Sequence, residues 1–352
     1  MKLLTLAIPT YNMEKYLARC LDSVLCMNRD FIEVLVVNDG SKDRSSAIGH
    51  DYEDRYPNVI RVIDKENGNY GSCVNRAIDE ATGKYFRMLD ADDWCDTMAL
   101  NQLMENLKSC DADLVLTVAE DRKEDGTLVR KMEAPSSVES GKCYDIVDFD
   151  GIKLGYNYLF CSHVITYKTD ILRKTNLRLQ HGISYTDNEY VYFPMSLCKS
   201  VVYFDFPIYQ YLIGREGQTT SSEVMSKSIN QIIKVFTRLW NDFVLHKSER
   251  LLSVSNNQRI LLAEMAYWIY CPALTRTDTE ELQPIVRNIE QMIKQDKSMI
   301  ELLHRHEFDK YGVDMYKYFK TTGRFASAPI ARVYLQIHRV IGYFFHILRK
   351  LA

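Results

Sequence analysis

Five short apolar runs constrain this chain more than any other feature: LLTLAI (3–8), IEVLVV (32–37), VIRVI (59–63), YFRML (85–89) and DLVLTV (113–118). The segments between them have helical spacing, as in Leu17, Leu21, Val24 and Leu25. Strands that read as unbroken apolar runs are usually covered on both faces, and helical connections between them imply a mostly parallel sheet with right-handed crossovers. The expected fold class is therefore α/β. In such sheets ligands bind beyond the carboxyl ends of the strands, where this chain places its polar clusters: PTYNME, NDGSKD, DKENGNYGS and DADDW.

At 352 residues, 46% of them hydrophobic, the chain has enough apolar material for a large core. Its 44 basic and 47 acidic residues nearly cancel, so no whole-chain field recruits nucleic acid. Nine cysteines without CxxC spacing suggest neither a disulfide framework nor a zinc site, and a cytoplasmic setting is expected. No stretch reaches the roughly 18 apolar residues of a membrane span. From about Glu223 the texture changes to long helical periodicity (SINQIIKVFTRLWNDF, LLAEMAYWIY, ELQPIVRNIEQMIKQ), which predicts a helical region over 223–322. From Thr321 to Ala352 there are five basic residues and no acidic one, and Ile330, Val333, Ile337, Val340, Ile341, Phe344 and Leu348 fall along one face of a helix. A basic amphipathic helix over 323–352 is expected, lying on a membrane surface or packed against protein.

The most charged motif is YFRMLDADDW, in which Asp90, Asp92 and Asp93 crowd together around Ala91. Their repulsion needs an offset. Carboxylates with this spacing suit Mn²⁺ or Mg²⁺ held jointly with a substrate's phosphates, while the plainer explanation is a helix cap with first-turn acids. In VVNDGSKDRS, Asp39 either accepts a nucleobase N–H or shapes a turn. Pro9, Tyr11 and Glu14 in IPTYNMEKYL offer a loop bend, a flat stacking surface and an acceptor for a ribose hydroxyl. Asn67, Gly68 and Gly71 lie near a helix start, where a backbone approaches a ligand easily.

In this order, IPTYNMEKYLARCLDSV, VVNDGSKDRS and ATGKYFRMLDADDW resemble the family 2 glycosyltransferases of GT-A fold, over roughly the first 220 residues. The resemblance implies a nucleotide-binding half at 1–120 and an acceptor half at 121–222. It implies that Pro9, Tyr11, Glu14 and Asp39 surround base and ribose, that Asp90 approaches the nucleoside, that Asp92 ligates the metal, and that Asp93 supports it or faces the donor sugar. Many relatives carry Arg-Asn where this chain has Val74-Asn75. Arg76 is displaced by one position, about 100° around the helix, so Asn75 alone is a candidate. In HGISYTDNEYVYFPM, Asp187 matches the family's catalytic base, with Thr186 in place of the usual Glu and with Glu189 as a competing carboxylate. Arg215, between Gly214 and Gly217, resembles the basic loop that closes over the diphosphate. His163 has an acceptor-side, metal-side or purely structural role.

These readings together imply an inverting transfer from a nucleotide-diphosphate sugar, by resemblance a UDP-sugar, to a glycan or lipid-linked acceptor in cell-surface polysaccharide synthesis. An oligomer and a peripheral position on the inner face of the plasma membrane are compatible with it. The alternatives are a metal-dependent nucleotidyltransferase, although PTYNMEKY is not the basic Gly-rich loop that a triphosphate needs, and a silent nucleotide-sugar-binding module.

Overall fold

The computed structural model describes residues 2–25, 27–155, 161–215, 217–275 and 282–303. The expected basic helix over 323–352 lies outside them. Among the described residues, no helix is long and apolar enough to cross a membrane.

The chain divides into two compact units. The first comprises Met1–Glu216 and Leu245–Asn257; the second comprises Gly217–Val244 and the chain from Gln258 onward. The first unit is built on strands β1 (Leu4–Thr10), β2 (Ile32–Asn38), β3 (Ile60–Asp64), β4 (Tyr85–Met88), β5 (Trp94–Cys95), β6 (Leu114–Arg122), β7 (Leu128–Met132), β8 (Cys143–Asp145), β9 (Ile165–Lys168) and β10 (Ser200–Leu212). The sheet runs β3-β2-β1-β4-β9-β6-β10-β5, with β7 added to β6 and β8 to β10. β3, β2, β1 and β4 are mutually parallel, as are β6 and β10, whereas the short β5, β7, β8 and β9 pair antiparallel. The five expected strands all form within a few residues of their predicted limits, and the KEDG turn joins β6 to β7 with Gly126 at φ +84°.

The parallel half follows from burial on both faces: every residue of β2 is buried, and all of β1 except Pro9. Helices α1 (Leu17–Val24), α2 (Ser45–Arg55) and α3 (Asn69–Glu80) supply the crossovers. α1 buries Leu17, Cys20, Leu21 and Val24, the i, i+3, i+4, i+7 stripe of an amphipathic helix. α4 (Thr97–Leu107) is capped by Asp96, whose carboxylate accepts from Ala99 N–H at 2.8 Å, and the shorter α5 (Gly151–Leu154), α6 (Thr169–Lys174) and α7 (Asp187–Met195) follow it. Because three consecutive crossovers join parallel strands, the carboxyl ends of β3, β2, β1 and β4 lie side by side.

In the second unit, the short α8 (Ser222–Lys227) precedes α9 (Ile229–His246), which buries Ile232, Val235, Phe236, Leu239 and Phe243 on one face. α10 (Leu252–Thr275) and α11 (Leu282–Ile293) complete the expected helical periodicities. Arg259 and Asp296 form a mostly buried ion pair at 3.1 Å.

Candidate active site

The ends of β2 and β3 open onto a cavity of about 600 Å³ whose lining includes Tyr11, Lys42, Lys65 and Asn67. Tyr11 is 46% exposed, a ring face open to a ligand. Pro9 is half-buried in β1, and Glu14 is exposed with its carboxylate accepting from Arg44 N–H at 3.0 Å. Asp39 sits behind this cavity, buried and already bonded. Its carboxylate accepts from Gly68 N–H at 2.9 Å, from Asn69 N–H at 2.8 Å and from the Lys65 ammonium, and its carbonyl accepts from the Asn67 amide at 3.0 Å. It therefore caps the start of α3, which suits an anion at a helix N-terminus.

Two α3 residues make close contacts within the protein itself. A Cβ at Gly71 would stand 2.3 Å from the Gln180 carbonyl, so the close approach that glycine permits is to the protein's own chain. Asn75 is buried, and its amide donates to Leu179 C=O at 2.9 Å while its carbonyl accepts from Leu179 N–H at 2.8 Å. It ties α3 to the segment before Asp187. Arg76, as its displacement predicts, points away and pairs with Glu80 at 2.8 Å.

The acidic turn follows β4. Asp90 accepts from the Tyr70 hydroxyl at 3.0 Å and lies 3.7 Å from His163 Nε2. Ala91 is buried. Asp92 accepts from Arg215 Nε at 2.8 Å, and both side chains are mostly buried. Burial and the Asp90 charge still push the Asp92 carboxyl up, against Arg215. Asp93 is fully buried, accepting from the Tyr209 hydroxyl and from Leu212 N–H, each at 2.7 Å. Burial, then Asp92 and Asp90, push its carboxyl well above the usual range. Asp93 thus braces the turn against β10.

Sequence reasoning missed one residue beneath this turn. Arg87, inside an apolar run, is fully buried and donates to the Thr117 and Thr166 hydroxyls at 3.0 Å each and to the His163 carbonyl. The His163 ring stacks on Tyr209 at 4.4 Å and lies 4.6 Å from Tyr211. Burial alone would lower the His163 imidazole, but Cys161 and the Asp90 carboxylate outweigh it and hold its pKa well above the ordinary histidine range. Asp90, Asp93 and His163 each bring a ligand atom within 4.8 Å of the others. Two carboxylate oxygens and an imidazole nitrogen form a donor set that Mn²⁺ accepts.

Asp187 opens helix α7 (Asp187–Met195), just after Tyr185 at φ +66°. Burial and the Asp90 charge push its carboxyl up to about 6, against the opposing pull of His163. Desolvation, then the Asp90 and Asp187 charges, raise the hydroxyl of the half-buried Tyr70, so the acidic turn, Tyr70 and Asp187 share one electrostatic neighbourhood. Glu189 is fully buried, with its carboxylate accepting from Gln180 N–H at 2.8 Å and the Gln180 amide at 2.6 Å. Gly214 at φ +87° and Gly217 at φ +74° flank the Arg215 loop, conformations that glycine adopts without strain.

A curled α/β sheet with this cavity and this acidic turn defines a GT-A-like nucleotide-binding fold. Residues 5–172 match the family model described as Glycosyl transferase family 2, and that part of the chain belongs to this family. Over 189 residues the chain is 28% identical to the uncharacterized glycosyltransferase EpsJ of Bacillus subtilis, covering 53% of this chain and 54% of EpsJ. The chain thus spans about half the length of that relative. Among solved structures, S. aureus TarS 1-349 in complex with UDP-GlcNAc is similar at a TM-score of 0.52 and 17% identity, covering 97% of this chain and 89% of that one. The mannosyltransferase PcManGT of Pyrobaculum calidifontis, in complex with GDP-Man and Mn²⁺, has a TM-score of 0.51 and 12% identity, covering 99% and 87%.

Proposed function

We propose that the protein is a metal-dependent glycosyltransferase that moves a sugar, with inversion, from a nucleotide-diphosphate donor to a hydroxyl of a glycan or lipid-linked acceptor. The observation that carries this reading is the pair of carboxylates with separate environments. Asp187, its carboxyl raised to about 6, stands close enough to feel Asp90, while the competing Glu189 is consumed by Gln180. A base poised near neutral pH beside a phosphate-binding acidic turn suits abstraction of an acceptor proton.

In this reading Pro9, Tyr11 and Glu14 border the nucleoside, Tyr11 stacks on the base, and Asp39, Asn67 and Gly68 fix the pocket wall. Asp92, the ligand the family resemblance names, would hold a divalent cation at the acidic turn, where Asp90, Asp93 and His163 offer further donor atoms. The cation supplies positive charge to the departing diphosphate. Asp187 takes the acceptor proton, and Arg215 turns its guanidinium toward the phosphate oxygens. A UDP-sugar is the favoured donor: the family resemblance suggests it, and the likeness to a UDP-GlcNAc-bound structure agrees.

The test is a panel of UDP-, GDP- and dTDP-sugars with Mn²⁺, read first by thermal stabilisation and then by nucleotide release. A bound donor at 100 times its Kd should add about 2.7 kcal/mol to stability. Absence of any metal-dependent stabilisation across the panel would overturn the proposal.

A further inference from the structure

Helix α1 grips the acidic turn along its whole length. The Cys20 thiol reaches Asp90 C=O at 3.7 Å, and the Ser23 hydroxyl accepts from Cys95 N–H at 3.0 Å. The Ser23 carbonyl accepts from the Thr97 hydroxyl at 3.0 Å. Between these contacts, Arg19 donates from Nη2 to Asp92 C=O at 2.8 Å, and its guanidinium lies 4.0 Å from the centre of the Trp94 ring. Its Nε is buried with no hydrogen-bond partner.

This is an unusual use of an arginine. A guanidinium beside three aspartates would gain most by forking onto a carboxylate, yet Arg19 bonds the peptide oxygen of Asp92 and leaves the carboxylate to Arg215. Stacking on Trp94 fixes the plane of the guanidinium, so its Nη2 cannot swing to a carboxylate without losing the ring contact. The result is a charged donor that holds the Asp92 backbone while the Asp92 side chain stays available for exchange.

We propose that Arg19 is a positioning residue for the acidic turn: it locks the Asp92 peptide so that the Asp92 carboxylate can trade Arg215 for a divalent cation without the turn moving. Its positive charge also offsets part of the repulsion among Asp90, Asp92 and Asp93. Because α1 starts directly after the loop holding Tyr11 and Glu14, the same helix links the nucleoside end of the site to its metal end. This inference rests on the reading of Asp92 as a metal ligand.

The test measures UDP binding by calorimetry, with and without MnCl₂, in full-length wild type, Arg19→Gln, Arg19→Lys, Trp94→Leu and Asp92→Asn, with a melting temperature for each. Arg19→Gln is expected to leave metal-free UDP affinity within about twofold and to lose about tenfold or more of the Mn²⁺-supported gain, the size of a displaced second-layer metal contact. Arg19→Lys should restore part of that loss, and Trp94→Leu, which frees the guanidinium, should shift binding in the same direction as Arg19→Gln. A purely structural role would lower the melting temperature and leave the Mn²⁺-supported gain intact, and that outcome in Arg19→Gln overturns the proposal. If Arg19→Gln does not fold, an unchanged gain in Trp94→Leu overturns it instead. Loss in Asp92→Asn with none in Arg19→Gln removes Arg19 alone, whereas no loss in either removes the Asp92 assignment and this proposal with it.

Discussion

Arg215 should act in opposite directions on the two ligands of the site. It holds Asp92 at 2.8 Å, with side chains only 19% and 11% exposed, so a cation entering at Asp92 must first displace a guanidinium. A hydrogen bond to a charged group contributes about 1.5–3 kcal/mol net, and recovering even the lower figure changes an affinity about tenfold. Arg215→Gln, which keeps much of the length and loses the charge, is therefore expected to tighten Mn²⁺ binding in the absence of nucleotide by about tenfold. The same variant loses its charged contact with the donor diphosphate, and the donor KM should rise by about tenfold or more. Free Mn²⁺ is measured by electron paramagnetic resonance and donor KM by nucleotide release. Both are run near pH 8, because burial and Asp90 push the Asp92 carboxyl up and it must be ionised throughout. If both affinities fall together, Arg215 is not a competitor for Asp92 and the exchange argument fails.

Asp187→Asn should lower transfer by about 10² or more while donor binding persists, and the wild-type rate should rise as pH passes through about 6. The same substitution should stabilise the fold. This carboxyl holds its proton more tightly folded (about 6) than its ordinary value of 3.8 allows, so the folded state is penalised above pH 6 and relieved as pH falls to 3.8. At about 1.4 kcal/mol per pH unit the penalty is at most about 3 kcal/mol; a melting-temperature gain at pH 7.5 that disappears near pH 4 is the expected signature, and a loss at pH 7.5 contradicts it. Glu189→Gln, by contrast, places an amide against the Gln180 donors and should cost about 1–3 kcal/mol of stability, measured by urea unfolding; an unaltered midpoint would return Glu189 to candidacy as the base. Truncation near Ser327 should abolish salt-sensitive sedimentation with anionic liposomes if the basic segment lies on lipid, whereas equal sedimentation of both forms would exclude that role.

The sequence was informative where chemistry is local. Apolar runs located β1 to β4 and β6, and the DADDW cluster stood at a strand end where four loops meet, because strand burial and turn residues are set within a few positions of the chain. It was uninformative where a residue's role is fixed by a distant partner. Arg87 reads as a charge interrupting a strand, and only the fold brings Thr117, Thr166 and the His163 carbonyl around it. The bonding of Asn75 to Leu179 could not be read locally, because that partner is 104 positions away. His163 could not be separated from an ordinary core histidine until β10 supplied Tyr209 and Tyr211 as its neighbours. Arg19 carried one readable signal, a lone cation on the helix directly after the Tyr11 loop, but nothing local tied it to Trp94.

The bonding of Asp39 limits how this site can diversify. One carboxylate both holds Lys65, which lines the cavity, and caps α3, so a change there that altered nucleotide preference would also unseat the helix that carries Tyr70 and Asn75. Descendants of this sequence are therefore expected to acquire new base preferences at the rim, through Tyr11 and Lys42, whose replacement disturbs no helix start. Asp39 would remain fixed by architecture even where its contact with the base had ceased to matter.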